Sequence, residues 1–177
     1  MTQLTTQKRH ALARLFCCLL ILVWVAGACA PEALAQTPPL ALVVINAEGH
    51  ATNITAAQLE KLPHVTVDTL DHDKPARFEG APMSAVLSMA GVQLGDTMRG
   101  SRLSEVLLAE AADGYKVAFA LAEFDAAFTA REIILADKRD GKLLDAKEGP
   151  FRIIAPGDKR PARWIRQVTT LRVIAVK

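Results

Sequence analysis

From residue 40 onward, apolar and polar residues alternate or gather in short apolar runs. Residues 40–46 are rich in β-branched side chains, which is typical of a buried strand, whereas residues 64–70 alternate like a strand with one solvated face. The same patterns predict six further strands, at residues 52–54, 104–111, 115–120, 133–137, 151–155 and 168–176. The chain therefore carries about eight short strands.

Short helices interrupt these strands. Thr55 and Gln58 have the spacing of a capping box, which predicts a helix over residues 56–62. Apolar residues at helical spacing predict a second helix over residues 83–90, and a short one is predicted over residues 121–127. Because the helices are inserted among the strands and do not alternate with them, the pattern favours a single α+β domain with a mixed sheet or two packed sheets. It does not favour a doubly wound nucleotide-binding fold.

The N-terminal segment has the pattern of a secretory signal peptide. Basic residues precede an apolar stretch over residues 15–30, and sixteen residues are too few for a membrane span, which needs about 20. Ala33-Leu34-Ala35 supplies the small residues that a signal peptidase reads. We predict that residues 1–35 are removed by cleavage before Gln36, which places the domain at residues 36–177 in a bacterial periplasm or outside the cell.

Two alternatives to this cleavage stay open. Ala26-Gly27-Ala28-Cys29 resembles a bacterial lipoprotein box, although that box usually starts with Leu and here starts with Ala. A lipid on Cys29 would hold the protein on a membrane, and this is the only membrane contact that we expect. The apolar stretch would otherwise stay in place as an uncleaved anchor.

The composition excludes several classes of protein. Hydrophobic residues make up 51% and charged residues 23% of the 177 positions, which excludes wholesale disorder. A formal net charge of +2 and an aromatic content of 5% argue against a nucleic-acid partner. All three cysteines precede residue 30, so the mature chain has no disulfide, no thiol nucleophile and no thiolate ligand for zinc, iron–sulfur or molybdenum.

Charge is unevenly distributed along the mature chain, which is neutral overall. Residues 150–177 contain seven basic residues and one acidic residue, so the rest of the mature chain is acidic. This asymmetry predicts an anion-facing C-terminal patch, or a C-terminal segment that pairs with the acidic body. Lys159, Arg160, Arg163 and Arg166 form a basic cluster in one loop. The candidate ligands are Arg152, Lys159, Arg160 and Arg163, because arginine forks suit phosphate and carboxylate and lysine supplies a positive charge. A solvated loop is the alternative interpretation.

Trp164 and Tyr115, the only Trp and the only Tyr of the mature chain, are candidates for lining such a site. A lone Trp beside an apolar strand is more often a core anchor, and we favour that interpretation of Trp164. Asp71-His72-Asp73 offers weak metal ligands, but adjacent extended residues point apart, so we interpret the segment as a solvated turn and expect no metal site. No serine has the context of a hydrolase triad, and we predict no catalytic residue.

Several segments, in this order, resemble motifs of the sulfite oxidase-type molybdopterin-binding domain, over roughly residues 76 to 176. They are Phe78-Glu79-Gly80-Ala81-Pro82-Met83, Asp113-Gly114-Tyr115, Asp140-Gly141-Lys142-Leu143-Leu144, Gly149-Pro150-Phe151-Arg152 through Gly157, and Ala162-Arg163-Trp164-Ile165. The resemblance implies that fold, with short inserted helices. It also implies that the segment around Pro156-Gly157 approaches an anionic pterin cofactor.

The chain departs from this family where the family holds its metal. Catalytic members have a molybdenum-ligating Cys before the glycine–proline stretch, and the matching residues 65–73 contain none. The histidine that the family has before Gly149-Pro150 is Glu148 here. We therefore expect a small, stand-alone, non-catalytic version of the fold with no cofactor, which binds a small anionic ligand or docks on a periplasmic redox or sensor protein. The alternative is a molybdopterin-dependent oxidoreductase with a non-cysteine metal ligand, for which Asp68 or Asp71 is nearest to the vacant position.

Overall fold

A computed structural model describes residues 41–176. The predicted signal peptide, its cleavage before Gln36 and the lipidation of Cys29 lie outside the described residues. The described chain forms ten strands and two short α-helices. In order these are β1 (Ala41–Ile45), β2 (Ala51–Thr55), α1 (Ala56–Leu59), β3 (Val65–Asp71), β4 (Lys74–Pro82), α2 (Met83–Met89), β5 (Glu105–Ala111), β6 (Lys116–Ala120), β7 (Ile134–Arg139), β8 (Lys142–Leu143), β9 (Arg152–Ile154) and β10 (Val168–Ala175).

The strands form two sheets. The first is mixed, with the order β2-β1-β10-β5-β6, in which β1 and β10 are parallel and the other neighbours antiparallel. The second is antiparallel, with the order β3-β4-β7, and both β8 and β9 pair with β7. Buried apolar side chains from both sheets and from α2 form one continuous core. The predicted α+β class, with two sheets in a single domain, is confirmed.

Strand β4 is the main element that the sequence pattern missed. It contains two prolines and Gly80, residues that local pattern does not favour in a strand. Pairing with β3 on one side and β7 on the other holds it extended. A Cβ on Gly80 would overlap the backbone of Leu135 and Ala136, so the close approach of β4 to β7 requires glycine here.

The predicted helices are present in shortened form. The capping box of α1 is confirmed, because the backbone N–H of Gln58 donates to Thr55 Oγ1 and the backbone N–H of Thr55 donates to Gln58 Oε1. The helix nevertheless ends at Leu59, not at residue 62. The third predicted helix is a single 3₁₀ segment, Leu121–Phe124. Among residues 41–176, no helix combines the length and apolarity that crossing a membrane requires.

Candidate functional site: a cationic cleft over a buried ion pair

An open cleft of about 1130 Å³ lies where several turns and loops of the described chain meet. These are the β3–β4 and β5–β6 turns, the end of β7, and the loops that precede β9 and β10. The cations that line it are Lys74, Arg139, Lys147, Arg152, Arg160 and Arg166. The carboxylates that line it are Asp71, Asp113 and Glu148. The cleft therefore carries an excess of positive charge.

The floor of the cleft is a buried ion pair between Asp71, at the end of β3, and Arg152, in β9. The two residues are 4% and 3% exposed. Nη1 of Arg152 donates to Oδ2 of Asp71 at 3.0 Å, and Nη2 donates to Oδ1 at 3.2 Å. Two parallel hydrogen bonds fix both groups, which offsets the cost of burying their charges.

Arg139 and Glu148 extend this ion pair. Nη1 of Arg139 donates to Asp71 Oδ2 at 3.0 Å and to Glu148 Oε1 at 3.1 Å. Nη1 of Arg152 also donates to Glu148 Oε1, at 2.9 Å. Two arginines and two carboxylates thus share one closed network. Glu148, the residue before Gly149-Pro150, is part of this network.

This network determines the protonation of Asp71. Burial by itself would raise the pKa of its carboxyl group, but the hydrogen bond from Arg152 and the charges of Arg152, Arg139 and His72 outweigh burial and hold the pKa below its ordinary value. Asp71 is therefore ionised at neutral pH and neutralises the arginines beside it.

Aromatic rings complete the floor. The guanidinium carbon of Arg152 lies 5.2 Å from the centre of the Phe78 ring and 5.9 Å from that of Trp164, and that of Arg139 lies 5.4 Å from Phe78. Trp164 is buried, and its Nε1 donates to the carbonyl oxygen of Ala155 at 2.8 Å. Trp164 is therefore a core anchor, as favoured from the sequence, and it also lines the cleft.

The cations at the rim of the cleft differ from the floor arginines in their exposure and in their lack of carboxylate partners among residues 41–176. Lys74, Lys147, Arg160 and Arg166 are exposed, and none forms an ion pair with a carboxylate of residues 41–176. Tyr115 stands at the same rim, 51% exposed, and its hydroxyl donates to the carbonyl oxygen of Ala162 at 3.0 Å. This bond ties the β5–β6 turn to the loop that carries Arg160.

Of the six candidate ligand residues, the structure brings Arg152, Arg160, Trp164 and Tyr115 together in the cleft. Lys159 and Arg163 do not line it. Nη2 and Nε of Arg163 donate to Asp158 at 2.7 and 2.9 Å, and its Nη1 lies 3.2 Å from each oxygen of Glu123. These bonds fix the loop, and the hydrogen bond to Asp158 raises the pKa of Arg163 above its ordinary value.

Sequence reasoning missed three residues of the floor. The interpretation of Asp71 as part of a solvated turn was wrong. The alternation of β3 places Asp71 on the same buried face as Val67, and the same alternation in the sequence could have shown that Asp71 is buried. Arg139 and Glu148 gave no such signal, since the strand pattern alone does not show which strands become neighbours. Of the two expectations from the charge asymmetry, pairing with the acidic body holds for Arg152, whereas the anion-facing patch stays a prediction.

The donors present do not fit a molybdenum centre. Residues 41–176 contain no cysteine, and both oxygens of Asp71 are bonded to arginine. Asp68 is exposed, lies outside the cleft and is paired with Arg77 at 2.7 Å. Within the described chain no three His, Cys, Asp or Glu side chains gather as metal ligands.

No protein-family model matches this sequence, and no curated protein matches it. Chains of solved structures do match. One is the crystal structure of the sulfane dehydrogenase SoxCD from Paracoccus pantotrophus, with a TM-score of 0.58 and 18% identity over 77% of this chain and 38% of that chain. The protein thus spans well under half the length of that chain. The likeness shows the fold, and it agrees with the sulfite oxidase-type fold that the sequence motifs imply.

Proposed function

We propose that the protein is an exported, non-catalytic module that binds a small anionic ligand in the cleft. The observation that carries this proposal is a set of four exposed cations on the rim that pair with no carboxylate of residues 41–176, above a floor whose carboxylates are bonded to arginine. The four are Lys74, Lys147, Arg160 and Arg166. Cations that no protein carboxylate neutralises attract an anion, and a concave surface focuses their field.

The geometry supports a small ligand. The cleft volume, about 1130 Å³, is slightly above the usual range for small-molecule sites, roughly 300–1,000 Å³, so the cleft has room for a small ligand. Arg160 and Arg166 offer planar forks for the oxygens of a carboxylate, sulfate or phosphate. The exposed face of Tyr115 offers an apolar contact for the rest of such a ligand.

The same geometry argues against catalysis by the floor. A general base needs a free lone pair within reach of the substrate. Asp71 is buried and both of its oxygens are bonded to arginine, and Oε1 of Glu148 accepts hydrogen bonds from the same two arginines. Both carboxylates therefore act in this proposal as fixed counter-charges for Arg139 and Arg152.

Isothermal titration calorimetry with sulfate, phosphate and a small dicarboxylate, at low ionic strength, tests this function. We expect saturable binding, and at least a tenfold loss of affinity when Arg160 and Arg166 are both replaced by alanine. Arg172→Ala is the matched control, since Arg172 is an exposed arginine on β10 outside the cleft. Equal loss in the control, or no binding by the wild type, would contradict the proposal. Salt-sensitive association with an acidic protein and no small-anion binding would favour docking on a redox or sensor partner.

The alternative function is a molybdopterin-dependent oxidoreductase. Its anionic pterin would meet the rim cations, but the described residues 41–176 offer its metal no thiolate, and both oxygens of Asp71 are bonded to arginine. Elemental and pterin analysis of protein purified from a molybdenum-replete host separates the two. We expect neither component at stoichiometric level, and one molybdenum per chain with a fluorescent pterin would replace our proposal with the oxidoreductase.

Export is the remaining part of the proposal, and it rests on the N-terminal sequence pattern. We expect mature protein that begins at Gln36 in a periplasmic fraction, as N-terminal sequencing and intact mass would show. A mass increased by lipid on Cys29 would establish the lipoprotein form instead. Recovery of unprocessed chain from the cytoplasm would contradict export.

A further inference from the structure

Two hairpins of the second sheet have the same turn geometry but different turn residues. His72 and Asp73 join β3 to β4 with φ angles of 50° and 63°. Asp140 and Gly141 join β7 to β8 with φ angles of 51° and 76°. Each turn has two residues and both residues lie in the left-handed region. The Asp140-Gly141 turn therefore serves as a reference, within the same protein, for the His72-Asp73 turn.

Asp-Gly is among the preferred sequences for such a turn, because glycine adopts a positive φ without steric cost. His-Asp has a Cβ at both positions, and the second position lacks the glycine that relieves the strain. The His72 side chain is 81% exposed, so its packing does not stabilise the fold enough to explain its presence. Backbone strain that packing does not explain is characteristic of functional positions.

The strained turn lies at the cleft. His72 lines it, and His72 Nε2 lies 3.8 Å from Oδ1 of Asp71, the floor carboxylate. Of the histidines among residues 41–176, His72 is the one that contributes to this surface. The charged groups that line the cleft with His72 are Asp71 and Lys74 on the same hairpin, Arg139 from β7, Lys147 and Glu148 from the loop before β9, and Arg152 from β9. Asp113, Arg160 and Arg166 belong to the other turns and loops.

We propose that His72 is a proton-dependent contact for the anion in this cleft, so that ligand binding strengthens as the pH falls. A neutral imidazole leaves the four rim cations to bind the anion, and protonation adds a fifth positive charge at the mouth. Histidine side chains ordinarily change charge between pH 5 and 8. Asp71 remains ionised over that range because arginine holds its pKa low, so it does not cancel the effect. This inference rests on the proposed anion-binding function.

The size of the effect follows from Coulomb's law. One added charge a few ångströms from a bound anion, at a partly solvated surface, strengthens binding roughly three- to tenfold. The affinity for the anion rises as the pH falls, because the positively charged imidazolium is the form of histidine present at low pH. Sulfate is the suitable probe because its own charge does not change between pH 5.5 and 8.

The experiment is sulfate titration by calorimetry at pH 5.5 and 8.0, at equal ionic strength, on the mature protein and three variants. The double variant His72→Asn with Asp73→Gly restores a preferred turn sequence, and we expect equal affinity at both pH values together with a raised melting temperature. His72→Gln removes the charge without changing the turn's second residue and should also lose the pH dependence. His50→Gln is the control, because His50 is an exposed histidine outside the cleft.

The outcomes separate this inference from the function on which it rests. Sulfate binding by the wild type that is the same at both pH values, or a pH dependence that survives in both His72 variants, would overturn the role of His72 and leave anion binding standing. Loss of the pH dependence in His50→Gln would also overturn it. Absence of binding at either pH, with sulfate and with the other anions, would overturn both.

Discussion

Arg152 and Asp71 lie 81 residues apart in the chain and form two hydrogen bonds in the buried floor of the cleft. Asp71 ends β3, an edge strand of the second sheet, and Arg152 begins β9, which pairs with β7. Phe78, from β4 between them, lies against the guanidinium group. The pair therefore joins the two sides of the sheet, and it anchors the surface on which the rim cations stand.

Replacing Asp71 with asparagine should destabilise the protein strongly. The variant keeps the shape of the side chain but leaves two arginines without a full counter-charge, and breaking a buried ion pair in this way costs about 3–5 kcal/mol. Urea unfolding followed by circular dichroism measures the loss. Asp68→Asn is the matched control, since Asp68 lies on the same strand and pairs with Arg77, but both are exposed. Its unfolding midpoint should equal that of the wild type, and equal effects of the two variants would mean that the buried pair has no special role.

Acid should destabilise the wild type in part through Asp71. Its pKa in the folded protein is below the ordinary value of 3.8, so its stabilising contribution is complete above that value and is lost as the pH falls through the lower folded pKa. In this window the contribution to the slope of unfolding free energy against pH is at most about 1.4 kcal/mol per pH unit. Denaturant unfolding between about pH 4 and 2 should show a shallower slope for Asp71→Asn than for the wild type. Identical slopes would show that Asp71 has the same pKa folded and unfolded.

Arg163 and Arg160 lie three residues apart, but alanine substitution should lower stability at Arg163 and anion affinity at Arg160. Arg163→Ala removes hydrogen bonds to Asp158 and Glu123 and a ring contact with Phe119, and we expect about 1–2 kcal/mol lower stability. Arg160→Ala should leave the melting temperature unchanged and weaken anion binding, because Arg160 is an exposed rim residue. Thermal unfolding and sulfate calorimetry on both variants test this. The reverse pattern would exchange the structural and ligand-binding roles.

Gly80→Ala should disrupt the junction of β4 and β7. A Cβ there would lie 2.5 Å from the Cα of Ala136, and backbone on both sides leaves no room to move, so we expect a loss above about 3 kcal/mol or failure to fold. Gly114→Ala is the control, because Gly114 has a φ of 84° but open space around it and should cost only about 1 kcal/mol. Soluble yield and urea midpoints give the comparison. A mild effect at Gly80 would show that the two strands can separate without losing the fold.

Much of the fold was predictable because strand and turn signals are local. The alternation of residues 64–70 and the capping box at Thr55 predicted β3 and α1, and both are present. Strand β4 was missed because its prolines and Gly80 are unfavourable locally, and only pairing with β3 and β7 makes them acceptable. Local pattern carries no information about such partners.

The sequence by itself determined the class of fold, the short inserted helices, the absence of cysteine after residue 29 and the basic character of the C-terminal segment. It did so because composition, periodicity and turn chemistry are properties of neighbouring residues. Only the tertiary structure decided which basic residues are neutralised. It buries Arg152 against Asp71, pairs Arg163 with Asp158, and places Arg160 at the rim with no carboxylate partner among residues 41–176. The physical reason is that an ion pair depends on a separation of a few ångströms, and sheet register sets that separation between residues distant in the chain.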